Sequence, residues 1–262
     1  MEIKLGPAGN CSTASSTEDS LRKVKEMGLQ AQEIEFVRGV YLNNEKAEKM
    51  GKVAKKEEIS LSIHAPYYVN LCSKEKKAAS MKRILDSAER GEKMGATVVV
   101  FHPGYYKDLS KEEAWKRVME ACEEMNEEVE NVKLGLETTG KHSQFGTLDE
   151  IMRITEKLEK CVPVIDFAHL YAKKYGKIDY GKIFDRVEKL NMDHFHTHFS
   201  NIEYTSKGEK KHLKLDGKPE FKPLAKEIIE RDLDITIISE SPILEKDSLK
   251  MKEIFESLGV EL

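Results

Sequence analysis

Six short apolar runs in this chain each end on a side chain able to bind a divalent cation. They read ISLSIHAP, TVVVFHPG, VKLGLETTG, VPVIDFAH, DHFHTHFS and ITIISESP, and they deliver His64, His102, Glu137, Asp166, His198 and Glu240. Imidazole and carboxylate are ligands that zinc, manganese and iron all accept. A single ending of this kind is an ordinary strand-end residue held by hydrogen bonds. Six in register predict that one end of a sheet or barrel converges on a polynuclear metal centre. Glu137 is the expected bridging ligand, because the two oxygens of a carboxylate can span cations about 3.5–4 Å apart. His64 and His102 are expected to complete one position with it, and Asp166, His198 and Glu240 a second. His169, three residues after Asp166, is placed to reach a third position together with His212.

The elements that must position these groups follow from periodicity. Runs rich in Val, Ile, Leu and Phe suit buried parallel strands, and the longer Lys- and Glu-rich stretches between them carry the apolar spacing of amphipathic helices. Strands are expected near 2–6, 33–37, 59–64, 97–102, 132–137, 162–166, 193–198 and 235–240. Helices are expected near 17–27, 43–55, 74–94, 111–129, 148–159, 180–189, 221–231 and 246–258. Thr17 with Asp19, and Thr147 with Glu150, are helix N-cap signals. Eight alternations of strand and helix predict an α/β fold of (β/α)₈ TIM-barrel type, a single domain over residues 1–262. In such barrels chemistry gathers at the C-terminal ends of the strands, where all six candidate ligands fall. Alternation along the seventh strand places His194, His196 and His198 on one face, with only His198 near the mouth. A doubly wound sheet is the alternative, and it would bring fewer strand ends to one point.

Composition narrows the function classes. A hydrophobic content of 39% supports a core, and a net charge of −4 argues against a protein that coats nucleic acid with a generally basic surface, though it allows a local basic face. The four cysteines form no CxxC pair and are expected to be reduced thiols. No signal peptide is evident, and no apolar run approaches the roughly 20 residues needed to cross a bilayer. A soluble, cytoplasmic protein is therefore expected, and the charged outer faces of the helices favour a monomer.

Taken in order, IHAPYYVNL, FHPG, LETTG with the following FG, IDFAH, HFS and ISESP resemble the motifs of the endonuclease IV family, abasic-site DNA repair enzymes among the xylose isomerase-like barrels. The resemblance spans most of the chain. It implies a site of two or three zinc ions, sometimes partly manganese or iron, that hydrolyses the phosphodiester 5′ to an abasic site in double-stranded DNA. The implied metal ligands are His64, His102, Glu137, Asp166, His169, His198, His212 and Glu240, with Glu137 and Glu240 as the catalytic carboxylates. Tyr67 stands where the family places an aromatic that inserts at the damaged nucleotide, and Arg38, Tyr105 and Lys210 are candidate DNA contacts from the same set of loops. There is one departure. The family takes an aspartate and a histidine from a D-x-H pair after the seventh strand, whereas here the stretch is GEKKHLKL. Lys210 occupies the aspartate position; Glu209 substitutes for it if the loop runs slightly longer, or the third position is left with His169 and His212 alone, or Lys210 or Lys211 supplies positive charge to a phosphate in its place. An alternative reading is a sugar isomerase or epimerase of the same superfamily. Glu137, Asp166, His198 and Glu240 would then hold one cation, and the two glutamates would pass a proton across a sugar carbon.

Overall fold

The computed structural model describes residues 1–262. Eight parallel strands form its centre: β1 Ile3–Pro7, β2 Ala31–Glu35, β3 Ser60–His64, β4 Val98–Phe101, β5 Lys133–Glu137, β6 Cys161–Asp166, β7 Phe195–Phe199 and β8 Ile235–Ser239. Ladders join neighbours from β2 through to β8, and β8 pairs with β1. The remaining β1–β2 seam is closed by an Ala8–Glu33 bridge and by the amides of Gln30 and Gly9, which donate to Leu5 O and Glu33 O at 3.0 and 2.9 Å. The ring is thus the expected (β/α)₈ TIM barrel. Gly6 makes the seam possible, since a Cβ there would lie 1.7 Å from the carbonyl oxygen of Ala31.

Helices cover the outside: α1 Thr17–Glu26, α2 Asn44–Lys56, α3 Lys77–Met94, α4 Lys111–Glu128, α5 Leu148–Thr155, α6 Phe167–Lys173, α7 Tyr180–Val187, α8 Phe221–Glu230 and α9 Glu245–Ser257. Their starts are set by local chemistry. Ser110 with Glu113 and Thr147 with Glu150 form capping boxes for α4 and α5. The cap of α1 is Ser16, one residue before the expected Thr17, and its hydroxyl accepts from the Asp19 amide. No helix is long and apolar enough to cross a membrane.

Inside the ring, strand alternation stacks the inward side chains in layers. Val98, Val100 and Val164 pack together in the barrel, where a Cβ on Gly135 would lie 2.7 Å from the Val98 and Val164 methyls. The uppermost layer carries the strand-end ligands. Strand β2 runs from 31 to 35 and not, as its sequence suggested, from 33 to 37, so the strand ends on Glu35 and sends Glu33 and Glu35 inward. Two further elements were expected as loops. One is α6, which begins directly after Asp166. The other is a ribbon of Asn201–Thr205 with Gly208–Leu213, standing on the C-terminal face.

Candidate metal centre

Glu137 sits at the middle of the C-terminal mouth, fully buried, and its two oxygens face different histidines. Oε2 lies 3.2 Å from His64 Nε2 and 2.7 Å from His102 Nε2. Oε1 lies 3.2 Å from His169 Nδ1 and 3.4 Å from His198 Nδ1. Glu240 closes the far side, with Oε1 3.2 Å from His198 Nδ1 and Oε2 3.5 Å from His212 Nε2. Asp166 caps α6 by accepting the His169 amide at 2.7 Å, which fixes both side chains at the start of one helical turn. Four overlapping groups result, with ligand atoms in each within 4.8 Å of one another: His64, His102 and Glu137; Glu137, Asp166, His198 and Glu240; Asp166, His169, His212 and Glu240; and, one layer down, Glu33, His196 and His198.

The donor chemistry fits divalent cations. Glu137 Oε1, Asp166 Oδ2, His169 Nε2 and His198 Nδ1 are all buried and lack a hydrogen-bond partner, a costly arrangement unless an ion completes them. Several imidazoles are also held by one nitrogen so that the other points inward. His64 Nδ1 donates to Ala65 O at 2.8 Å, and His169 Nδ1 donates to Thr138 O at 2.9 Å. His212 Nδ1 donates to Ser200 Oγ at 2.7 Å, because that hydroxyl spends its own proton on Asn201 O.

Electrostatics describe the same demand for positive charge. Burial raises the Glu137 and Glu240 carboxyls, but the histidines, His102 first for Glu137 and His198 first for Glu240, hold both well below the usual range. Burial depresses His64, yet its hydrogen bond to Glu137 and the charge of Glu35 lift it to about 10. Asp166 is pushed well up by burial.

The ribbon resolves the third position. Its two strands pair with a bulge, so Lys210 and Lys211 both oppose Glu203, with Nζ–Oε distances of 2.6 and 3.5 Å. The extra residue breaks the two-residue alternation. Glu209 and His212, three apart, therefore come to the same face. Glu209 Oε2 lies 3.4 Å from His169 Nε2, and the Glu209 amide donates to Gly140 O at 3.0 Å. Gly140 must be a glycine for this approach, as a Cβ there would lie 2.5 Å from Glu209 Cβ and 2.9 Å from His169 Cδ2. Of the options the sequence left open, the geometry favours Glu209, which lies beside His169 while Lys210 turns outward to Glu203. Lys210 is thereby exposed and outside the cavity lining.

The mouth opens into a cavity of about 540 Å³ lined by Tyr67, Tyr105, Lys141, Gln144 and the upper ligands. Tyr67 is 55% exposed with its ring 5.6 Å from that of His64, and Tyr105 is exposed on the neighbouring loop, where its amide donates to Asn70 Oδ1 at 3.1 Å. Arg38 is exposed in the bend after β2, outside the cavity lining. Sequence reasoning missed Glu33 and Glu35. Glu33 lies one layer below the ligands, where Ser62 donates to its Oε2 at 2.7 Å and His196 Nε2 lies 3.3 Å from the same oxygen. Its Oε1 is 3.2 Å from His198 Nε2, so His198 is gripped from behind while Nδ1 faces Glu137 and Glu240. Glu35 lines the cavity beside His64 and is raised to about 8 by burial, against the opposing charge of His64. The alternation Gln32-Glu33-Ile34-Glu35-Phe36, with Ile34 and Phe36 facing the helices, was the available signal.

Residues 21–258 match the model of the xylose isomerase-like TIM barrel family. The chain belongs to that family. Within the family, an uncharacterized protein of Methanocaldococcus jannaschii is 34% identical over 95% of this chain and 97% of its own length. A probable endonuclease 4 of Mycoplasmopsis synoviae is 27% identical over 73% of each chain. Among solved structures, a D-tagatose 3-epimerase-like protein superposes with a TM-score of 0.75 at 22% identity, covering 98% of this chain and 96% of its own. Endonuclease IV from Thermus thermophilus superposes with a TM-score of 0.73 at 17% identity, covering 98% of both chains. The likeness to endonuclease IV expected from the motifs is therefore found again in whole-chain comparison, and the structural neighbours share the fold.

Proposed function

We propose that the protein is a metal-dependent endonuclease of the endonuclease IV type, which hydrolyses the DNA phosphodiester on the 5′ side of an abasic site. The observation that carries this reading is the division of Glu137: each oxygen faces a separate pair of histidines, a disposition suited to bridging two cations. His64 and His102 would hold one ion with Glu137. Asp166, His198 and Glu240 would hold a second, and His169, His212 and Glu209 a third, with zinc, manganese and iron all chemically suited to these donors. Bound divalent ions would neutralise phosphate charge and lower the pKa of the attacking water. The chain's own residues do the rest. Ala65, Thr138 and Ser200 fix the imidazole tautomers, and the buried position of Glu137 excludes bulk water. Tyr67 and Tyr105 stand on neighbouring loops of the cavity rim, where a base can stack on an exposed aromatic face. The 27% identical relative called a probable endonuclease 4 supports the same assignment.

One observation favours a second reading. Glu137, Asp166, His198 and Glu240 alone form a compact four-ligand group, which is enough for a single-cation sugar epimerase with two glutamates. That reading leaves His64, His102, His169, His212 and Glu209 without work. The test is incision of a duplex carrying one abasic-site analogue by protein reconstituted with zinc or manganese, alongside metal counting by atomic emission. Two or three ions per chain and 5′ incision that His102→Ala abolishes are expected. One ion and no incision would transfer the assignment to the epimerase.

A further inference from the structure

A second cavity, of about 810 Å³ and larger than the metal cavity, lies on the outer side of the same face. Its lining carries six cationic side chains, Lys111, Lys173, Lys174, Lys177, Lys182 and Arg186, against two carboxylates, Asp149 and Asp179, in a chain of net charge −4. Two of the cations are already matched. Lys182 pairs with Asp179 at 2.8 Å, and Arg186 pairs with Glu156 at 2.6 Å and Asp149 at 3.8 Å. Lys111, Lys173, Lys174 and Lys177 pair with no carboxylate. The floor beneath them is apolar, formed by Leu148, Leu170, Ile178 and Ile183, so the field of the unmatched lysines is less screened than over open surface.

We propose that this groove carries the sugar-phosphate backbone of a nucleic-acid strand that continues from the metal cavity. The inference rests on the nuclease reading, because a strand is what links the two cavities. They share a wall. Gln144 lines the metal cavity, while behind it Lys173 Nζ donates to Gln144 O at 3.1 Å and to Thr139 Oγ1 at 3.0 Å. Lys173 is therefore committed to holding the wall, and Lys111, Lys174 and Lys177, all exposed, are free to meet phosphates. These three come from the start of α4, the end of α6 and the loop after it. That spread suits successive phosphates along a chain and not the convergent grip of one small anion. The turn that presents Lys174 and Lys177 is fixed: Tyr175 and Gly176 have φ of +52° and +81°, and a Cβ on Gly176 would lie 2.3 Å from the Tyr204 hydroxyl of the ribbon. Tyr175 also stacks on His142 at 4.9 Å and leaves its other face open, a surface on which an unpaired base can lie.

The experiment compares the full-length wild type with the Lys111→Gln/Lys174→Gln/Lys177→Gln variant. Duplex binding, with and without an abasic-site analogue, is measured as a function of salt under non-cleaving conditions. Each phosphate contact removed lowers the slope of log K against log salt by about 0.9, so a fall of about 2–3 is expected, with unchanged metal content and thermal midpoint. An unchanged slope, or wild type that binds no DNA, overturns the proposal. Inorganic triphosphate serves as a second probe. Saturable one-to-one binding lost in the variant, with the duplex slope unaltered, makes the groove a small-anion site and also overturns it. A reduced slope in a protein that never incises DNA supports the groove while refuting the nuclease reading, so the two failures are separable.

Discussion

Replacing Glu33 with Gln is expected to loosen the metal centre, although Glu33 touches only the back of one proposed ligand. Its Oε2 accepts from His198 Nε2 at 3.3 Å, in a fully buried setting. This contact leaves the Nδ1 lone pair facing Glu137 and Glu240 and makes it more basic. A ceiling on the effect comes from two unit charges about 4 Å apart at an effective dielectric constant of about 20, which interact by about 4 kcal/mol. The carboxylate is shared with His196 and Ser62, and Gln keeps an acceptor, so the loss should fall below that ceiling. Carboxylates behind a metal-bound imidazole typically contribute 10–100-fold in affinity, or about 1.4–2.7 kcal/mol. The assay is a competition titration against a chromophoric chelator, with ions counted by atomic emission and secondary structure checked by circular dichroism. His196→Gln is the control, since His196 shares Glu33 with His198 but is not itself among the proposed ligands. Wild-type affinity in Glu33→Gln, or an equal loss in His196→Gln, would refute the reasoning.

Three other perturbations follow from the geometry. Glu209→Gln is expected to lower the metal count by one ion per chain, whereas Lys210→Asp, at the position suggested by linear spacing, leaves the count unchanged because residue 210 faces Glu203; atomic emission reads both. Gly6→Ala is expected to destabilise by about 3 kcal/mol, since the new methyl meets the Ala31 carbonyl at the seam, and a denaturant midpoint near wild type would contradict that. Complete chelation is expected to lower the thermal midpoint by about 5–10 °C, because one site filled at a hundredfold excess over its Kd contributes about 2.7 kcal/mol. A midpoint indifferent to chelator would mean that the buried donors need no ion.

The barrel was legible because its strands are short apolar runs between strongly charged helices, a contrast that survives without any alignment. The convergence of the strand-end histidines and carboxylates was legible for the same reason: such a residue closing an apolar run is conspicuous. Glu33 and Glu35 were not. In AQEIEF the two glutamates face inward, while Ile34 and Phe36 share the helix-facing side with Gln32, the reverse of a solvent-facing strand, so the run reads as weakly amphipathic and its end was placed two residues late. The ribbon was missed because GEKKHL has no apolar pattern of its own. Its faces are assigned only by pairing with Asn201–Thr205, and a bulge cannot be located from one strand. The short helix after Asp166 was absorbed into a loop, since FAHLYAK is barely two turns long.

The ligands are drawn from β3 through β8 and from the ribbon, spanning residues 64 to 240 of the chain. An emerging polypeptide would therefore hold most of the donors long before it could assemble them, because Glu240 is reached only at the end of the last strand. The position of His64, His102 and Glu137 needs only β3 to β5, but that of Asp166, His198 and Glu240 waits for the last strand, so uptake of the second ion becomes a report on completion of the barrel. Chains halted before β8 would expose unmatched carboxylates and imidazoles at an open sheet edge, and the second tight ion would mark the moment at which the final stave has been set in place.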